Sequence, residues 1–266
     1  MQSTQAENAF DWREVVLNSF LGRFTSRPSR ASAYPNPLNA LGRRFIFCFW
    51  TGENQISEQR KAALLSMITT TGCPVILLNK FVIPAWELKD HPFHKAYEYL
   101  SETHKADYLR CYFMHHFGGG YSDIKATNRN WCDAFLRLEQ SNALALGYTE
   151  IAEGVARIGG DLELLLKKNF KSLIGGGAFI FKPNTELTCR WYGETNALLD
   201  RKLALLRKNP ASFPQDRTGV NLGGGNPSKY PLRWSELLGE IFHPLVFEFK
   251  DKVLHYQIEP IFENYR

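Results

Sequence analysis

The sequence predicts an α/β fold in which a single domain is built on a mostly parallel central sheet. Two short, almost wholly apolar runs, RFIFCFW at residues 44–50 and PVILL at 74–78, have the character of strands buried on both faces. A stretch with helical spacing, residues 57–70, lies between them, giving the strand-helix-strand unit of a parallel sheet. The chain of 266 residues, 44% of them hydrophobic, is long enough for one sizeable core.

Taken in order, residues 10–24 place Trp12, Val15, Val16, Ser19 and Phe20 on one face of a short packing helix that Asp11 can cap. RPSRASAYPNPLNALG, residues 27–42, carries three prolines and reads as a linker. Residues 1–42 are thus expected to pack on a main domain of residues 43–266. The linker's arginines suit either membrane phosphates or a solvated loop. The first strand stops at Thr51 and Gly52, the helix over 57–70 follows, and the second strand begins after Gly72. Residues 91–117 carry a helical pattern with Tyr97, Leu100, Tyr108, Cys111 and Tyr112 among the apolar positions, and Gly118, Gly119 and Gly120 end it. Beyond lie a strand at 121–126, a helix at 161–169, a strand at 177–181 and a helix at 187–207, then short strands at 245–249 and 253–257. No internal repeat is present.

The formal net charge of +5 arises from 32 basic and 27 acidic residues spread along the chain. It suits a partner carrying phosphate, such as a nucleoside diphosphate or an anionic membrane surface, and equally a basic surface with no partner. The lack of any block of five or six like charges gives no footing for a nucleic-acid partner. Five cysteines without a CxxC pair point to reduced thiols and a cytoplasmic location. The first residues, MQSTQAENAFDWRE, place acids where a secretory leader has an apolar stretch. No run reaches the ~18 apolar residues of a membrane span. Peripheral membrane contact stays compatible with all of this.

The chemistry concentrates in KADYLRCYFMHHFGGGYSDIK, residues 105–125. Asp107 and Arg110 are three residues apart on a helix and so share a face, one an acceptor and the other a fork of donors. The glycines allow close backbone approach, and the following strand delivers Asp123. Two carboxylates and a guanidinium are then expected together at the C-terminal edge of the sheet, where open α/β folds bind ligands.

Ala106, Asp107, Arg110, Gly119, Gly120, Tyr121 and Asp123, together with Phe49, Trp50, Thr51 and Gly52 at the first strand's end, resemble the DXD-type sugar-transfer glycosyltransferases. These are the glycosyltransferase family 32-like proteins, with DXD mannosyltransferases, large glucosylating toxins and related capsular polysaccharide synthesis proteins among them. The resemblance covers roughly residues 44–258. It implies a GT-A type, Rossmann-like domain that moves a hexosyl group from a nucleoside diphosphate sugar to a glycan or glycolipid hydroxyl. It further implies that Trp50 and Thr51 meet the base and ribose, that Asp107 and Arg110 hold the donor sugar, and that Asp123 faces the diphosphate. Phe49, Gly52, Gly119, Gly120 and Tyr121 fall to the donor site on the same ground, and His255 matches the family's late histidine.

The motif is altered: Lys125 stands where the family has its second aspartate. On a strand Lys125 would face the same side as Asp123. Either a divalent cation, Mn²⁺ or Mg²⁺, is held by Asp123, His255, waters and diphosphate oxygens, or Lys125 does part of the metal's work. A third arrangement sends Lys125 to solvent and leaves Asp123 to bind metal alone. The same loss motivates the alternative of a non-catalytic nucleotide-sugar or glycan-binding protein. The polar, glycine-rich stretch 214–234 offers Asp216 as a general base if the reaction inverts configuration, or is a surface excursion. His91 and His94 beside Pro92 read as capping or surface residues rather than a metal pair.

Overall fold

The structure is a computed structural model that describes residues 44–221 and 225–263. The expected N-terminal helix and linker, and part of the 214–234 loop, lie outside the described residues.

Six strands form one mixed sheet: β1 (Ile46–Trp50), β2 (Val75–Asn79), β3 (Gly119–Ser122), β4 (Ala145–Thr149), β5 (Ile174–Phe181) and β6 (Val253–His255). Their order is β2-β1-β3-β5-β4-β6. β1 pairs in parallel with β2 and β3, and β4 with β6, while β5 runs antiparallel to both its neighbours. The α/β class and the mostly parallel sheet are therefore present, with one reversed strand in the middle. Six helices cover it: α1 (Glu58–Thr70), α2 (Glu102–His116), α3 (Cys132–Glu139), α4 (Gly160–Lys168), α5 (Glu186–Lys208) and α6 (Gly239–Glu248). Among the described residues, no helix is long and apolar enough to cross a membrane, and the five cysteines carry free thiols.

The alternation of β1 decides which layer goes where. Phe45, Phe47 and Phe49 point into a core shared with Tyr112, Phe113, Phe179, Trp191 and Phe242, whereas Ile46 and Cys48 point to the opposite layer with Met67, Trp131 and Phe135. Helix starts follow their caps: the Ser57 and Ser101 hydroxyls accept from Arg60 and His104 amides, and Thr185 and Thr188 cap reciprocally. Gly118, at φ +67°, ends α2 and returns its N–H to the Phe113 carbonyl.

Four expectations need correction. Residues 91–100 are not helical: the tyrosines of α2 claim their backbone, with Leu88 and His94 amides donating to Tyr112 and Tyr108 hydroxyls at 2.8 and 2.9 Å, so the helix begins only after Ser101. The strand expected at 121–126 is Gly119–Ser122, because the chain turns at Asp123, whose carbonyl accepts from the Lys125 amide at 2.7 Å. Residues 245–249 belong to α6, since Ile241, Phe242, Leu245 and Val246 share a buried helical face that overrides Pro244. The strand expected at 253–257 stops at His255. Helix α3 and strand β4 have no counterpart in the sequence reading.

Gly119 and Gly120 serve packing. A Cβ on Gly119, at φ +84°, would meet the Phe45 ring at 2.6 Å, and one on Gly120 would meet Trp131 at 3.1 Å. Gly119→Ala combines backbone strain with overpacking and is expected to destabilise the domain by roughly 2–4 kcal/mol. Urea unfolding should show a lower midpoint with an unchanged slope.

Candidate functional site

The site lies at the C-terminal edge of β1 and β3, beside α2. Arg110, on α2, donates to Asp107 Oδ1 at 3.1 Å and to Asp123 Oδ1 at 2.9 Å, so one guanidinium bridges a helix and the end of a strand. Its planar face lies 4.6 Å from the centre of the Tyr121 ring. The Tyr121 hydroxyl donates to Asp123 Oδ1 at 2.7 Å, and Lys125 Nζ donates to Oδ2 at 2.8 Å. Lys125 thus faces Asp123 as expected, but through the turn after β3 rather than by strand alternation, and it does not reach out to solvent: its side chain is 9% exposed.

Burial and charge act against one another in this quartet. Burial pushes the Asp107 carboxyl above its ordinary range, and Arg110 only partly opposes it. Burial also pushes Asp123 up, but Arg110 and Lys125 together outweigh it and hold that carboxyl below the ordinary value. For Arg110, burial disfavours the charge while Tyr121, Asp123 and Asp107 restore it, with a net upward shift. Tyr121 is pushed well above the usual phenol range, chiefly by burial.

Three clefts open around Asp123 and Arg110. One of about 390 Å³ runs along Phe49, Trp50, Thr51, Gly52 and Lys125 toward Trp234. A second of about 760 Å³ is bounded by Tyr148, Glu150, Gly177, His255 and Phe262. A third of about 560 Å³ is bounded by Asp107, Glu150, Arg157, Ser235 and His243. Thr51 Oγ1 donates to the Glu102 carbonyl at 2.8 Å and Trp50 Nε1 to the Asn54 carbonyl at 2.9 Å, which set the end of β1 against the start of α2. Gly177 leaves room for the second cleft: a Cβ there would stand 3.3 Å from the Tyr148 hydroxyl and 3.5 Å from Asp123 Oδ2.

Most of the residues singled out in the sequence are brought together here. Phe49 and Tyr121 line the first cleft but also stack on one another at 5.5 Å within the core. Gly119 and Gly120 line none of the three clefts; phenyl and indole groups occupy the space beside them. Asp216 is absent from those linings as well. It is buried at 1% exposure, where its Oδ2 accepts from the Ser212 amide at 2.9 Å, so its place is inside the loop it staples. His94 bonds Asp200 and the Ala96 amide, in line with a structural role.

The donor set fits a divalent cation poorly. Both oxygens of Asp123 are already engaged by Arg110, Tyr121 and Lys125, and a cation on Oδ2 would sit against the Lys125 ammonium. His255 lines the second cleft with Asp123 but shares its Nδ1 with the Thr149 hydroxyl at 3.1 Å. Among the described residues, no group of three or more His, Cys, Asp or Glu is arranged to hold a metal ion. One shared carboxylate and one imidazole fall short of the oxygen-rich shell that Mg²⁺ or Mn²⁺ prefers.

Glu150 and His243 were missed in the sequence. Glu150 follows β4, buried at 8% exposure, with Oε2 3.5 Å from His243 Nε2 on α6. Neither stands in a motif, and only the fold of β4 and α6, both unforeseen, carries them to Asp123.

Arg110→Met leaves two carboxylates without their shared cation, and the expected loss of stability at pH 7 is about 3–5 kcal/mol. Asp123, held low, contributes stability above the ordinary carboxylate range and loses it as pH falls through its lowered value. Without Arg110 both carboxyls protonate more readily, so the gap between variant and wild type should narrow as pH falls from 7 to 4. Chemical denaturation across that range measures it.

Comparison of the chain with protein-family models, with curated proteins and with solved structures finds no significant match in any of the three, so function has to be argued from the site itself.

Proposed function

We propose that this protein is a glycosyltransferase of GT-A type, moving a hexosyl group from a nucleoside diphosphate sugar to a hydroxyl of a glycan or glycolipid. The observation that carries the proposal is the quartet Asp107, Arg110, Asp123 and Lys125 at the edge of the parallel strands, where clefts of about 390, 560 and 760 Å³ meet. In this assignment Trp50 and Thr51 border the base and ribose, Asp107 and Arg110 hold the sugar's hydroxyls, and Lys125 faces the diphosphate. Breaking the glycosyl phosphate bond builds negative charge on the leaving diphosphate, and fixed cations already in place stabilise it without reorganisation. Arg110 and Lys125 are such cations. They exchange Asp123 oxygens for phosphate oxygens with little movement, since both are already hydrogen-bonded to an oxyanion. A divalent ion, if recruited, would arrive with the donor's own phosphate oxygens rather than wait on protein ligands. The free thiols favour a cytoplasmic setting.

A second reading has one observation behind it. With Lys125 closed on Asp123, the site is self-neutralised, as suits a non-catalytic nucleotide-sugar or glycan-binding protein. Calorimetry separates the two: donor binding with no release of nucleoside diphosphate across a broad acceptor panel supports binding alone.

For the transferase, a thermal-shift screen of nucleotide sugars should raise Tm for one donor class, to a similar extent with EDTA and with Mn²⁺. Asp123→Ala should abolish nucleoside diphosphate release, and Lys125→Met should lower it about 100-fold or more. Undiminished turnover in Asp123→Ala would remove the assignment.

A further inference from the structure

We propose that the wall shared by the two larger clefts is the acceptor site, and that Glu150 takes the proton from the attacking sugar hydroxyl. The inference rests on the transferase assignment and adds to it the group that activates the acceptor.

Glu150 is set apart from Asp123 by its partners. Asp123 is bound by two permanent cations, Arg110 and Lys125. Glu150 instead accepts from the Ile151 amide at Oε1, at 2.9 Å, and has the His243 imidazole 3.5 Å from Oε2. The Ala156 amide donates to His243 Nδ1 at 3.0 Å, which leaves that nitrogen an acceptor and puts the ring proton on Nε2, facing Glu150. The turn Ala152–Gly154 is folded around the carboxylate: a Cβ on Gly154 would stand 2.3 Å from Oε1. Such packing fixes one carboxylate orientation, as a proton acceptor requires.

Glu150 lies where an acceptor would have to meet the donor. It borders both larger clefts, and each is bordered also by Asp123 and Arg110. Tyr148 spans the interval: its phenol is pushed up first by burial and then by the charges of Glu150 and Asp123, so both carboxylates face it. Tyr148, Tyr256 and Phe262 offer flat apolar faces in the second cleft, and Gln257 and Glu259 offer hydrogen bonds, a mixture that suits a sugar ring. In the step itself, the hydroxyl proton passes to Glu150 Oε2 and the oxygen's lone pair forms the bond to the anomeric carbon. The bond from that carbon to the diphosphate oxygen breaks, and its electron pair leaves with the diphosphate toward Lys125 and Arg110. No further reactant is required.

The bland role for Glu150 is to cap the Ile151 amide. Glu150→Gln separates the two, because the amide oxygen keeps that hydrogen bond and loses the basicity. The full chain is assayed with UDP-glucose, UDP-galactose and GDP-mannose as donors and methyl glycosides as acceptors. Glu150→Gln is expected to keep its Tm and its donor-induced thermal shift, while kcat for transfer falls about 10²–10⁴-fold. Glu150→Ala should regain part of that rate when formate is added. A Glu150→Gln kcat within threefold of wild type, a loss confined to acceptor KM, or the absence of formate rescue each overturns the role while the wild-type transfer leaves the enzyme assignment standing. A wild type inert toward every donor overturns the assignment, and Glu150's role with it.

Discussion

Everything at the site depends on the Arg110 guanidinium and the two carboxylates it joins. Asp107 belongs to the same helix as Arg110, but Asp123 belongs to the turn after β3, so the bridge pins α2 to the edge of the sheet. Such a pair adds little net stability compared with well-packed apolar residues, because two ions must leave water to make it. Its value is positional. It fixes a planar donor fork beside Tyr121, and the Tyr121 ring is in turn stacked on Phe49 and packed near Phe179. The aromatic core thereby reaches the charged site without an intervening mobile layer.

The glycine clusters show how that arrangement is accommodated. Gly118 stops α2, and Gly119 and Gly120 admit Phe45 and Trp131 against a strand that could not otherwise lie so close. Gly175 and Gly177 perform the same office on β5 for Tyr148, whose hydroxyl and ring would lie within 2.2 Å of a Cβ on Gly175. The reversed direction of β5 matters here. Running antiparallel to β3, it sets Gly177 O against the Asp123 amide at 2.8 Å and opens the sheet edge into the largest cleft.

Local signals in the sequence were strong where chemistry and packing agreed. The apolar alternation of β1 gave its central place, and the spacing of Asp107 and Arg110 gave their shared helix face, because each follows from one element's geometry. Contributions from distant segments were illegible. Asp216 looked available because it stands in a polar, glycine-rich loop, yet the Ser212 amide draws it inward. Glu150 looked ordinary because its significance depends on His243 being 3.5 Å away in space and 93 residues distant in the chain, the difference between positions 243 and 150. Residues 91–100 looked helical because periodicity does not reveal tyrosine hydroxyls waiting on another element.

The charge balance of the quartet bears on how a ligand would enter. Asp107 and Asp123 against Arg110 and Lys125 sum to zero formal charge when all four are ionised, so the empty site needs no counterion to be folded. A diphosphate entering it must compete with Asp123 for both cations. The competition favours the phosphate only if its oxygens meet the guanidinium and ammonium together, since a partial exchange would strand a buried carboxylate. A site neutral in itself therefore selects by geometry rather than by attraction at a distance. The family's usual pair of aspartates would need a cation to achieve the same neutrality; here Lys125 provides it within the chain.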